Sequence, residues 1–217
     1  MGDIQLIITH NEIRAKEIME DYRMYDRQVL YYPAKDLIFY SADVHGQAIV
    51  RERLKVIKAI MGQQAPLTIV TTIDAGMDYC LPLERYQEKR IEIREGDELE
   101  LCNIQEQLSE MGYEHTAQVE REGEFSIRGG ILDIFPLTEE SPVRIDLWDT
   151  EVDTIRSIDV ESQRSVENLE TVEIYPAAEI FMSGDEAAAG VHAIDREMER
   201  CTACLLYTSP SPRDVEE

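Results

Sequence analysis

The sequence predicts an α/β protein in which a partial parallel-sheet domain with flanking helices is followed by a small α+β domain with an antiparallel sheet. Three observations predict it. Strand-like and helix-like periods alternate over residues 1–87, and residues 123–148 alternate apolar and charged positions around a glycine pair. Between them Pro82 breaks the helical reading and the character changes, which places a boundary near residue 87.

Within the first domain, Ile4 to Thr9 is a short β-like run. Asn11 can cap a helix in which Ile13, Glu17, Ile18 and Tyr22 advance at helical spacing. Leu37 to Tyr40 is a second candidate strand. Val50, Leu54, Ile57 and Met61 form the stripe of a second helix over residues 47–61, which Gly62 stops. Leu67 to Thr72, rich in β-branched residues, reads as a buried strand.

The small domain covers residues 88–175. Ile91 and Ile93 alternate with charged residues, and Asp97 with Glu100 predicts a helix cap ahead of the stripe Leu101, Ile104, Leu108 and Met111, with Gly112 as its end. Phe125 and Ile127 share a parity, Gly129 and Gly130 permit a bend, and a second apolar run ends at Pro136. Val143, Ile145 and Leu147 then alternate with Arg144, Asp146 and Trp148, the signature of a strand with one buried and one solvated face. Residues 176–203 read as the start of a return towards the first domain, and residues 204–217, CLLYTSPSPRDVEE, as a non-native tail without strand or helical period.

A chain of 217 residues with 43% hydrophobic and 30% charged residues can bury a sizeable core. Its 21 basic and 45 acidic residues give a net charge of −24, which repels phosphate backbones and anionic membranes and favours a protein partner with a basic patch. No apolar run approaches the roughly 18 residues needed to cross a bilayer, and no secretory signal is expected, so the expected compartment is the cytoplasm. Cys80, Cys102, Cys201 and Cys204 are too scattered for a disulfide framework and are expected as thiols.

No catalytic constellation emerges. The sequence has no GxxxxGK[ST] loop to hold phosphates and magnesium, so an ATPase is unsupported and no cofactor is expected in this segment. The CxxC of Cys201 and Cys204 has no second half to complete a zinc site, and His10, His45, His115 and His192 have no nucleophile arranged beside them. Asp146, Asp149, Glu151 and Asp153 read as a solvated strand end, so no metal is expected. Arg128 is the exception: its planar fork can pair with an internal carboxylate, Glu124 or Asp133, or with a carboxylate of a partner. Phe125 and Phe135 are either core residues or surface anchors.

The strings GEFSIRGGILDIFP, VRIDLWDTEVDTIRSID and QRSVENLETVEIYPAAE, with YYPAKDLIFYSADVHG upstream, resemble in order the N-terminal UvrB-homology module of the bacterial transcription-repair coupling factors, the Mfd family. The resemblance covers roughly residues 1–182 and implies a UvrB-like first domain lacking its start and a UvrA-binding-like small domain. It implies a non-catalytic module that recruits UvrA. In UvrB, arginines of the small domain bind UvrA; one matches Arg128, whereas the other two match His115 and Ser126, a departure from the pattern. With Arg121 and Phe125 these residues form the candidate partner-binding set. The resemblance assigns ATP and Mg, and contacts with RNA polymerase and DNA, to motor domains of a longer translocase outside this sequence. UvrB itself is the competing assignment, but its DNA-clamping tyrosine-rich hairpin is absent where Tyr31-Tyr32-Pro33 runs directly to Leu37. A structural or autoinhibitory domain is the remaining alternative, because in the family the UvrA-facing surface is masked in the intact protein.

Overall fold

The computed structural model describes residues 4–25, 28–35, 44–62 and 66–208, with backbone alone for 44–47 and 202–208. Residues 1–181 cluster as one unit and residues 182–217 as another. The first unit begins with a parallel sheet of order β1-β3-β2, formed by β1 (Ile4–Thr9), β2 (Val29–Tyr32) and β3 (Leu67–Thr72). Between β1 and β2 runs α1 (Glu12–Arg23), whose first turn is capped by Asn11 accepting from the Arg14 amide at 2.8 Å. Between β2 and β3 runs α2 (Val44–Met61), ended where the Gly62 amide donates to Lys58 O at 2.8 Å.

The two helices cover opposite faces of the sheet. Ala15, with Ile18 and Tyr22 of α1, packs on Val29, Tyr31 and Val70, while Val56 and Ala59 of α2 pack with Leu67 and Ile69. All six residues of β3 are buried, as expected for the central strand of a parallel sheet covered on both faces. Strand β2 was not anticipated, because four residues, VLYY, bounded by a proline give almost no period to read. The expected strand at 37–40 lies outside the described residues.

Helices α3 (Ile73–Met77) and α4 (Leu83–Lys89) follow, and α4 runs through position 87. Pro82, expected to break a helix, stands at the N-cap of α4, the end at which a missing N–H costs nothing. Strand β4 (Ile91–Arg94) precedes α5 (Leu101–Glu110). The expected cap differs: the Asp97 carboxylate accepts from the Arg94 amide at 2.8 Å and closes the turn after β4, while Glu100, at the N-cap itself, makes no side-chain capping bond.

The remaining strands are β5 (Glu114–His115), β6 (Glu124–Arg128), β7 (Ile131–Ile134), β8 (Val143–Trp148), β9 (Glu151–Ile158), β10 (Ser165–Leu169) and β11 (Thr171–Ile174). They form a six-stranded sheet of order β10-β9-β8-β7-β6-β5 and a two-stranded ribbon β11-β4. The sheet is antiparallel except at its edge, where β5 runs parallel to β6. One core fills the small domain: Ile104 and Leu108 of α5 and Met111 at its C-cap meet Phe125, Leu132, Ile134, Ile145 and Ile155 of the sheet and Ile93, Val172 and Ile174 of the ribbon.

After β11 the chain returns to the first sheet domain within a few residues. The Ala177 amide donates to Met111 O at 2.9 Å, and Phe181 packs with Leu54, Ile57 and Tyr86, its ring 5.2 Å from that of Tyr86 and edge-on. Glu179 reaches the buried Arg53 of α2. The second unit contains α6 (Gly184–Thr208), opened by a capping box in which the Glu186 amide donates to Ser183 Oγ at 3.3 Å and the Ser183 amide to Glu186 Oε2 at 2.9 Å. Its helical backbone passes through 204–208, part of the stretch read as lacking any period.

Candidate functional site

The outer face of the six-stranded sheet carries the candidate site, and strand parity puts it there. Phe125, Leu132, Ile134 and Ile145 point into the core, so their alternating neighbours Ser126, Arg128, Asp133, Arg144 and Asp146 share the opposite face. Register then sets the neighbours: Ser126 stands opposite Asp133, Asp133 opposite Arg144, and Arg144 opposite Arg156. The result is a ladder of three arginines and two aspartates on a chain whose net charge is −24.

Arg128 ends β6 at a two-residue hairpin. Arg128 pairs with Ile131, and the intervening Gly129 has φ +63°, the positive value required at the first position of a type II′ turn. Gly130 is required by space: a Cβ there would lie 2.9 Å from Leu147 O, whose residue donates its amide back to Gly130 O at 2.7 Å. Of the internal partners foreseen for Arg128, Asp133 is the one used, at 2.6 Å, and the arginine side chain remains 47% exposed. Glu124 instead accepts from the amides of Glu120 and Arg121.

Asp133 is fully buried and is shared. Arg144 donates from Nε to Oδ1 at 2.6 Å and from Nη2 to Oδ2 at 2.8 Å, a two-point fork that raises its guanidinium pKa above the ordinary value. Farther along, Arg156 pairs with Asp146, which also accepts from Thr154 Oγ1 at 3.0 Å. Trp148, at the end of β8 and on this same parity, is 81% exposed.

The remaining candidates divide. His115 is exposed on the edge strand and stacks on the Phe125 ring at 5.0 Å between centroids. Arg121 is exposed in the turn before β6, with no carboxylate paired to its side chain among the described residues. Phe125 and Ser126 require correction as contact residues: Phe125 is fully buried and Ser126 is 1% exposed, its hydroxyl donating to Ala117 O at 3.0 Å. They shape the strand from within and present nothing to a partner. Phe135 is likewise buried. Arg144, Arg156 and Trp148 were missed as candidates although the alternation in VRIDLW already placed the first and last of them on the solvated face.

The chemistry available is recognition. Among the described residues no group of three His, Cys, Asp or Glu could hold a metal ion, and Asp146 of the acidic cluster is committed to Arg156 and Thr154. Cys80, Cys102 and Cys201 are free and exposed. No helix among the described residues is long and apolar enough to cross a membrane.

Comparison with known proteins places the chain in a family. Residues 91–180 match the UvrB interaction domain. The transcription-repair-coupling factor of Bacillus subtilis (strain 168) is 39% identical over 191 residues, covering 87% of this chain and 16% of that protein. Its counterpart in Staphylococcus aureus (strain Mu50 / ATCC 700699) is 35% identical over 82% of this chain, and that of Staphylococcus haemolyticus (strain JCSC1435) 35% identical over 83%, each match covering 15% of the relative. The chain spans about a sixth of the length of these relatives. It therefore belongs to the transcription-repair-coupling factor family, with residues 91–180 forming a UvrB interaction domain.

Proposed function

We propose that this segment is a non-catalytic module that recruits UvrA to a transcription-coupled nucleotide excision repair factor. The observation that carries the reading is Arg128, presented at a hairpin turn, half exposed, on the arginine-bearing face of a UvrB interaction domain. A guanidinium in that position can offer two parallel N–H donors to a carboxylate of UvrA, and the acidic remainder of the chain disfavours nucleic acid as a competing ligand. Arg121, before the start of β6, and His115, opposite Phe125 on the edge strand, are further exposed polar groups of the same domain. Charge pairing of this kind sets orientation and association rate more than raw affinity.

The longer protein is proposed to be an ATP-dependent DNA translocase of the cytoplasm that displaces stalled RNA polymerase, with ATP, Mg, DNA and polymerase handled by other parts. The residues here do not fit a nucleotide, since no loop offers both the lysine and the hydroxyl that phosphate and magnesium require. Titration of UvrA into the chain tests recruitment. Arg128→Ala is expected to weaken binding roughly tenfold to hundredfold, as for loss of one charge-assisted contact, and to leave the circular dichroism and melting temperature nearly unchanged. Equal affinity of the folded variant would refute the assignment.

A further inference from the structure

The three hydrogen bonds that converge on Asp133 are unequal, and the inequality has a use. Arg144 is 17% exposed and grips both carboxylate oxygens. From its far side Gln163 steadies it, with Arg144 Nη1 donating to Gln163 O at 3.4 Å, while Gln163 Nε2 donates to Val160 O at 2.8 Å and Val119 O at 3.3 Å. Arg128, by contrast, touches one oxygen, Oδ2, which Arg144 already shares.

We propose that Asp133 and Arg144 are positioning residues: they tether Arg128 by a single shared oxygen so that its guanidinium transfers to a carboxylate of the partner without orphaning a buried charge. An aspartate with no exposed surface and only one cation would hold that cation, because leaving a buried carboxylate unpaired is heavily penalised. With Arg144 in place the transfer exchanges one charge-assisted bond for another, and Asp133 keeps a two-point partner throughout. The tether also fixes the rotamer of a long side chain before binding, which reduces the ordering cost at the interface. The identity of the partner rests on the UvrA reading; the tether rests on the geometry alone.

The test uses Arg144→Gln, Asp133→Asn and the double variant, each checked by thermal melting and each titrated with UvrA. Arg144→Gln is expected to trap Arg128 on Asp133 and weaken binding roughly tenfold, although Arg128 is still present. Adding Asp133→Asn removes the trap and is expected to restore affinity to within roughly threefold of the parent chain. A double variant as weak as Arg144→Gln, or an Arg144→Gln variant that binds like the parent, would overturn the proposal by making Arg144 a direct contact or an idle one. Should Arg144→Gln fail to fold, Asp133→Asn alone decides: a loss of no more than about threefold with faster exchange of the Arg128 guanidinium protons supports the tether, and unchanged exchange, or a loss equal to that of Arg128→Ala, refutes it. Nitrogen-detected exchange of the Arg128 guanidinium protons separates the tether from the partner. Exchange slowed by Arg144→Gln and restored in the double variant supports it even if UvrA does not bind, and unchanged exchange overturns it even if UvrA does.

Discussion

Glu179→Gln is the substitution that most directly probes how the returning segment is held. Arg53 is fully buried in α2, and Glu179 is 7% exposed. The Arg53 guanidinium pairs through Nε with Glu179, donates from Nη1 to Pro33 O at 2.7 Å and to Asp78 Oδ2 at 3.2 Å, and lies 4.1 Å over the Tyr32 ring. Lys35 adds a second cation 3.1 Å from Glu179. Removing one partner of such a pair costs about 3–5 kcal/mol, because the other charge stays buried without compensation. Asp78 and the Tyr32 ring remain to share the Arg53 charge, so the lower end, about 3 kcal/mol, is expected. In a domain of this size that corresponds to a fall of roughly 6–12 °C in melting temperature. Urea denaturation followed by circular dichroism measures it directly. Replacing both Arg53 and Glu179 with apolar residues of similar volume should recover most of the loss, since a buried pair is worth little net of its desolvation. A Glu179→Gln chain that melted within about 1 °C of the parent would refute this account.

Three smaller predictions test the scaffold. Phe125→Ala removes a fully buried ring beneath His115 and is expected to cost about 3–5 kcal/mol in urea denaturation, so any loss of partner binding should track unfolding. Gly112→Ala places a Cβ 2.7 Å from Ala178 Cβ on a backbone with φ +90°, and is expected to cost about 1–3 kcal/mol by the same measurement. Burial pushes the Tyr31 and Tyr32 phenols from the ordinary 10.0 up to about 12. Because their folded values are raised, the stability they contribute is complete below about pH 10 and is lost as pH climbs towards about 12, where an ultraviolet difference titration should show phenolate appearing together with unfolding.

The parts of the fold that repeat over many residues were legible in the sequence. The stripe Ile104, Leu108 and Met111, the buried run of β3 and the alternation of β8 each extend over enough positions for burial to impose a period. Short or locally ambiguous pieces were not. Four residues sufficed for β2 because neighbouring strands and helices supply its order, and Asp97 served a turn where a helix cap was equally consistent with its side chain. At the site, parity told which residues of β8 face outward, and Asp133 was one of two internal carboxylates, with Glu124, open as a partner of Arg128. It was silent on the third member of that cluster, because Arg144 meets Asp133 only through the register of β7 against β8, a pairing between strands separated by the long connection from Phe135 to Pro142. Phe125, open in the sequence between core residue and surface anchor, shows the converse limit. An aromatic next to an interface residue on a strand belongs by parity to the other face, and that rule outweighs the enrichment of aromatics at interfaces.

That rule also explains how a strongly acidic chain can gather arginines on one face. Net charge acts over distance and is screened within about 8 Å at physiological ionic strength, whereas a guanidinium fork acts at contact. On the outer face of the sheet the aspartates are spent internally: Asp133 is covered by Arg144 and Arg128, and Asp146 by Arg156 and Thr154. That face therefore presents arginines whose aspartate partners are already paired, Asp133 of them fully buried. Pairing the aspartates with the arginines lets strand register decide which sign of charge that face presents.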